Sequence, residues 1–328
     1  MTLDLYPIVV LALAAGLDYL VGDPWGWIHP VQVVGWTIDR TSGIILDRLK
    51  RPALRWWAGG FLAIVAIVGS GLVGGMAIEV ANSLHPLLGG ITATILLASC
   101  FAGRSLRHAA VDVLQPLSSG DLTTTRSRLA LYVGRDTDRL TEVEMLRAVL
   151  ETVSENAVDG VMAPLFYALV GLGFPEIGIV PLALAYKTAS TLDSMVGYKE
   201  EPYTHLGWWS AKIEDVLTWL PCRLTVVTLG LLKGKLRRVW RLCRRDAIRD
   251  PSPNSGWSEC AYAAILGVQL GGTNWYRGVV KEKPLLGDFD RPITPEIVLQ
   301  ALQLTRDCFL VWLALGIIAS CWWLVPGG

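Results

Sequence analysis

Residues 58–80 read AGGFLAIVAIVGSGLVGGMAIEV. A largely apolar run of that length matches the ~17–25 residues a helix needs to cross a bilayer. Three more stretches of near-spanning length accompany it, at 5–22, 87–103 and 308–325. The chain of 328 residues is 52% hydrophobic, has a mean hydropathy of +0.43 and is only 18% charged, against about 25% in soluble domains. Disorder, collagen and a small disulfide scaffold are excluded. The expected fold class is all-α: a polytopic integral membrane protein forming one domain over 1–328. It has about four full spans, further broken or re-entrant hydrophobic segments, and a large cytoplasmic helical region over 104–307.

Tryptophans flank the runs where interfacial indoles sit: Trp25 and Trp27, Trp56 and Trp57, Trp322 and Trp323. Ala12-Leu13-Ala14 mimics a signal cleavage site, but the residues before it carry Asp4 and no base, so cleavage is not expected. Residues 161–186 contain Pro164, Pro175, Glu176 and Pro181, with Gly171, Gly173 and Gly178 between them, which predicts two half-length limbs turning near 173–176. Residues 218–232 are short for a span and are expected to be re-entrant or interfacial. With four spans, segments 1–4, 81–86 and 326–328 share one side and hold no Lys or Arg, and all 29 bases fall in 23–57 or 104–307. The positive-inside rule makes that side cytoplasmic and the location the cytoplasmic (inner) membrane.

Several signals exclude function classes. The 29 Lys and Arg balance 29 Asp and Glu, so no global basicity points to nucleic acid. Cysteines 100, 222, 243, 260, 308 and 321 form no CxxC pair, which leaves no zinc ribbon or disulfide framework. Gly69-Ser70-Gly71-Leu72-Val73-Gly74 fits G-x-G-x-x-G but has no strand before it. Gly71 and Gly75 read instead as a close helix–helix contact in lipid. No P-loop exists. The run from Lys233 to Arg249, which includes Arg237, Arg238, Arg241, Arg244 and Arg245 with Leu and Trp between them, suits an amphipathic helix on an anionic leaflet.

Four polar constellations remain. Asp18 ends an apolar run, an expensive place for a carboxylate, and is followed by Gly22-Asp23-Pro24 and His29-Pro30. Glu151, Glu155 and Asp159 lie at i, i+4 and i+8, with Asn156 among them, so a helix would stack three carboxylates on one face. Such a stripe needs a counter-ion, either Mg²⁺, which prefers carboxylate and phosphate oxygens, or arginines such as Arg128 and the Arg135 of Arg135-Asp136. Lys187, Thr191 and Ser194 share a helical face as an anion site would require, near Asp193 and Lys199, with Lys212, Glu214 and Asp215 downstream. Ser252-Pro253-Asn254 precedes an apolar helix closed by Gly271-Gly272; Ser and Asn there are caps, or part of an anion site at a helix N-terminus.

On these residues the chain resembles the adenosylcobinamide-phosphate synthase family, the CbiB/CobD-type cobalamin biosynthesis membrane proteins, over nearly its whole length. The likeness rests on Gly22-Asp23-Pro24, His29-Pro30, residues 133–137, Glu151 to Gly160, Ala163 to Tyr167, Thr191 to Tyr198, Ser252-Pro253-Asn254 and Gly271-Gly272. Ser190, Glu214, Thr218 and Asp250 depart from its usual residues. The resemblance implies a cytoplasmically facing ligase that joins adenosylcobyric acid to an amino alcohol phosphate, typically (R)-1-amino-2-propanol O-phosphate, with ATP and Mg²⁺. Glu151, Glu155 and Asp159 would then hold the metal, and Lys187, Arg104 and Arg135 would clamp phosphates. Arg128, Ser194, Lys199, Lys212, Ser252 and Asn254 would be further binding residues, and His29 or Asp193 would take the amine proton. Asp18, Asp23, Asp136, Asn156 and Asp215 complete the candidates. The partners are the two substrates, the lipid bilayer and other corrinoid-pathway enzymes, with no nucleic acid. The alternatives are a membrane transporter of an anionic or phosphorylated solute, against which no internal repeat is evident, and an AmpE-like membrane sensor.

Overall fold

The computed structural model describes residues 5–22 and 29–323. Asp23 lies outside them. Where hydropathy treats 1–328 as one domain, packing divides the chain into two compact units: Met1–Arg104, Ala163–Leu217 and Val311–Gly328 in the first, Ser105–Met162 and Thr218–Leu310 in the second.

Prolines open the early helices: α2 (Pro30–Arg48), α3 (Pro52–Leu84) and α4 (Pro86–Ala98) each begin on one, where the missing N–H is no loss. Three helices are long and apolar enough to cross a membrane, namely α3, α10 (Trp208–Leu232) and α13 (Pro295–Trp323). A fourth span exists if α4 and α5 (Gly103–Ser118), bent by 41°, count as one. The protein is thus a polytopic helical membrane protein, but its spans differ from the hydropathy runs. Helix α1 (Tyr6–Leu20) has 15 residues, about 22 Å, short of the ~30 Å hydrocarbon core. The 87–103 run breaks after Ala98. The 218–232 segment is the second half of α10, whose first turns carry Lys212, Glu214 and Asp215; those charges hide the helix from a hydropathy window. Because α10 can cross, the parity that put every base on one side no longer follows from the sequence. The 161–186 region does form two limbs, α8 (Ala163–Leu172) and α9 (Ile179–Val196), joined by a turn at 173–178.

In the first unit α3 packs on α9 through its glycines. A Cβ on Gly71 would lie 3.0 Å from the Pro181 carbonyl oxygen, and one on Gly74 would overlap Leu184 Cδ1. Backbones approach this closely where lipid tails give apolar side chains no preference for one another. Ile38, Leu62, Ala63, Leu192 and Val196 form the buried cluster beside this seam.

The second unit contains α6 (Leu122–Leu129), α7 (Glu142–Asn156), α11 (Leu236–Asp246) and α12 (Ser255–Leu266). Helix α7 starts in a capping box: the Thr141 N–H donates to Glu144 Oε2 at 2.7 Å, and the Glu144 N–H donates to Thr141 Oγ1 at 3.4 Å. The hydrogen bonds from Thr141 hold the Glu144 carboxyl below its ordinary value. Helix α12 stops at the left-handed Gly267 (φ 70°) and not at Gly271-Gly272. Those glycines lie in a hairpin that an all-helical reading misses, β1 (Leu270–Tyr276) paired antiparallel with β2 (Val279–Leu286). Its two-residue turn, Arg277-Gly278, has φ of 51° and 76°, as a type I′ turn requires. On α11, Val239, Leu242, Cys243 and Asp246 are buried. Arg238 pairs with Asp290, and Arg245 pairs with Asp246 and with Asp288 at 2.8 Å, so part of the basic run is neutralised within the unit.

Candidate functional site

The carboxylate stripe runs past the end of α7 itself. The helix gives way to a π-helical turn over Ala157–Met162, which carries Asp159. Glu151 is buried, 1% exposed, and fully engaged. It accepts from an Arg135 guanidinium nitrogen at 2.5 Å and from the Gly271 N–H at 2.9 Å, with Arg147 Nε 3.9 Å away. Arg135 also donates to Asn274 Oδ1 at 2.6 Å, and Arg147 donates to the carbonyls of Gly271 and Thr273 at 2.6 and 2.9 Å. Helix α7 is thereby tied to the hairpin by a buried polar network in which Glu151 and Arg135 are structural partners. Asp136 braces the same hairpin, its two carboxylate oxygens accepting from the Arg277 and Gly278 N–H groups at 2.9 and 2.7 Å.

One turn after Glu151, Glu155 faces a different environment. Its carboxylate lines a cavity of about 370 Å³ together with Asp250, Lys283, Asn156, Tyr276 and Arg135. Among the described residues it has no hydrogen bond and no ion pair within 4 Å. Burial pushes the Glu155 carboxyl above its ordinary range, Asp250 and Glu151 push it further, and Lys283 only partly offsets this. Asp250 comes close because Gly256 has no side chain: a Cβ there would lie 2.5 Å from Asp250 Cβ. Asp250 Oδ1 accepts from the Ser252 N–H at 2.9 Å, while Oδ2 is buried without a hydrogen bond. Lys283, on β2, donates to Glu259 Oε1 of α12 at 3.3 Å. Burial works against its charge, but Glu259, Glu155, Glu151 and Asp250 together hold the ammonium above its ordinary value.

Of the remaining candidates of this unit, Ser252 and Asn156 line the cavity, and Asn254 and Arg128 do not. Ser252 Oγ accepts from the Asn254 and Ser255 N–H groups at 3.3 and 3.1 Å. Asn254 stands at the α12 N-cap without capping it; its Oδ1 accepts from Arg223 at 2.7 Å, and that guanidinium rests over Trp257 at 4.7 Å. Asn156 donates to the Thr152 carbonyl at 2.9 Å. Arg128 pairs loosely with Asp112 at 3.6 Å.

The other candidates belong to the first unit. Arg104 donates to the Tyr19 and Leu20 carbonyls at 3.2 and 2.5 Å, which caps the C-terminus of α1. It packs on Gly22, where a Cβ would lie 2.5 Å from Arg104 Cδ. Buried Asp18 sits against Gly103, whose Cβ would lie 2.8 Å from Asp18 Oδ2. His29 stands at the N-cap of α2. Lys187 and Asp193 lie on α9. The hydroxyls expected to bind an anion with Lys187 donate to their own helix, Thr191 to the Lys187 carbonyl at 2.7 Å and Ser194 to the Ser190 carbonyl at 2.9 Å. Lys199 is exposed, and Lys212 pairs with Asp215 at 3.0 Å.

Glu151, Glu155 and Asp159, expected to hold magnesium together, do not come together as a set of three ligands among the described residues. Glu151 is engaged by Arg135 and the Gly271 N–H, and among the described residues no three His, Cys, Asp or Glu side chains converge to hold a metal. Sequence reasoning missed Lys283, Glu259, Arg147 and Asn274, and gave Asp250 no role in the site. The local signal for the first was slight: the Arg277-Gly278 turn followed by the β-branched pair Val279 and Val280.

Comparison with known proteins covers both units. The family described as CobD/Cbib protein matches residues 11–305. The cobalamin biosynthesis protein CobD of Synechocystis sp. is 52% identical over 317 residues, 96% of this chain and 93% of that one. The cobalamin biosynthesis protein CbiB of Salmonella typhimurium is 39% identical over 318 residues, covering 96% and 98%. The CobD of Citrobacter koseri is 37% identical over 309 residues, covering 93% and 95%. No solved structure matches. With its length matched almost end to end, the chain belongs to the CobD/CbiB family of cobalamin biosynthesis proteins.

Proposed function

We propose that the protein is an adenosylcobinamide-phosphate synthase of the inner membrane, an ATP-dependent ligase with its chemistry on the cytoplasmic side. The observation that carries this reading is the near-complete likeness to cobalamin biosynthesis proteins. A cavity whose wall holds both cationic and anionic side chains supports it. In the reaction, a carboxylate oxygen of adenosylcobyric acid takes the terminal phosphoryl group of ATP and ADP leaves. The ammonium of the amino alcohol phosphate gives one proton to a base, the free amine forms the C–N bond, the C–O bond to phosphate breaks, and a second proton leaves the nitrogen as the amide forms.

The amine arrives as an ammonium at neutral pH, so it needs a proton acceptor within reach before it can attack. Glu155, raised above its ordinary value, suits that task in the second unit; His29 and Asp193 are the candidates in the first. Mg²⁺ is expected to accompany ATP, bound through one or two carboxylates and the phosphates, and no step is assigned to the metal. The test supplies purified protein with adenosylcobyric acid, aminopropanol phosphate, Mg²⁺ and ATP. Mass spectrometry should find adenosylcobinamide phosphate and ADP, both dependent on the amine. Uptake of an anionic solute into proteoliposomes, with no product formed, would overturn the ligase in favour of a transporter.

A further inference from the structure

We infer that the cavity of the second unit seats a small zwitterion, with the ligand's phosphate on Lys283 and its ammonium between Glu155 and Asp250. The inference rests on the ligase reading for the reaction and deepens it by assigning one substrate a place. A volume of about 370 Å³ lies at the small end of ligand pockets, roughly 300–1,000 Å³. It is large enough for an aminophosphate and too small to enclose a corrin macrocycle.

The wall offers charge of both signs, and the local bonding shows which groups are engaged. Arg135 lines the cavity but is committed to Glu151 and Asn274. The Lys283 ammonium has three N–H donors, and the only hydrogen bond it makes among the described residues goes to Glu259. Glu259 is 0% exposed, and its Oε2 has no hydrogen bond. It anchors the lysine from behind the wall, since Glu259 itself does not line the cavity. The ammonium therefore keeps donors for an anion. Glu155 and Asp250 Oδ2 have the converse need. Each lacks a donor, and two like charges sharing a wall repel. A primary ammonium with three N–H groups would satisfy both carboxylates.

The test is titration calorimetry on the full-length protein in detergent, without ATP or corrinoid, using O-phosphoethanolamine, inorganic phosphate and ethanolamine as probes. O-phosphoethanolamine should bind at least tenfold more tightly than either single-charge probe. Lys283→Met should weaken O-phosphoethanolamine and phosphate at least tenfold and leave ethanolamine unchanged; Glu155→Gln should weaken O-phosphoethanolamine and ethanolamine and spare phosphate. Because Lys283→Met leaves Glu259 alone in the interior, the double variant Glu259→Gln/Lys283→Met is measured as well and should show the same loss. Wild-type affinity in the double variant, or in Glu155→Gln, overturns the inference. A protein that ligates but does not show this binding pattern loses the inference and keeps the function. One that shows the pattern but does not ligate keeps the inference and loses the function.

Discussion

Glu151 and Glu155 stand one turn apart on the same helix and have opposite surroundings. Around Glu151, two arginines, an asparagine and a backbone N–H close a network that joins α7 to the hairpin. Around Glu155 the network stops, leaving a carboxylate on a cavity wall beside a second acid with an unsatisfied oxygen. Residue type does not separate structure from chemistry here; the supply of donors does. A buried carboxylate with all its partners holds the fold together, whereas one without them is poised for a ligand.

The strongest attack on that contrast is to break the closed network. Arg135→Met should cost about 3–5 kcal/mol, because it leaves Glu151 charged and buried, read as a lower Tm in detergent. Arg135→Met combined with Glu151→Leu should recover most of the loss. If the single variant unfolds no earlier than wild type, Glu151 is not structural.

In the first unit, Gly74→Leu should cost about 1–3 kcal/mol by overpacking against Leu184 and should lower Tm without touching the cavity. Wild-type stability there would mean that α3 and α9 do not pack through glycine.

The open carboxylate has its own signature in pH. Glu155 binds its proton more tightly folded than unfolded, so wild type should lose stability as pH rises from about 4.5 through the folded value. Glu155→Gln escapes that loss, and its Tm advantage over wild type should widen with pH. An advantage that narrows contradicts the assignment. The smallest effect belongs to a pair neither closed nor open. Arg128→Ala removes a half-exposed partner of Asp112 and should change stability by less than about 1 kcal/mol. A larger loss would give Arg128 a role the structure does not show.

These regions were not equally legible in the sequence. The helical membrane class follows from composition, and the broken limb at 173–178 from its prolines and glycines. The glycine seam of α3 follows in part: Gly71 was legible, but the tightest approach is at Gly74, and a Cβ on Gly75 would lie an ordinary 3.5 Å from Pro181 Cγ. Helix α10 was hidden because Lys212, Glu214 and Asp215 lie inside it, and the hairpin because Arg-Gly is a weaker turn signal than Asn-Gly. The acids of α7 were visible as candidates, yet nothing local told Glu151 from Glu155. That difference depends on Arg135 and on a hairpin more than a hundred residues downstream. Lys283 escaped notice for the same reason, since its anchor Glu259 lies on another element.

The most direct test of the account compares turnover in Glu155→Gln with wild type, with folding checked on the same sample. The variant should be at least as stable as wild type at neutral pH and should ligate at least a hundredfold more slowly, the scale of a lost proton acceptor. A folded Glu155→Gln protein that makes adenosylcobinamide phosphate at the wild-type rate would contradict it.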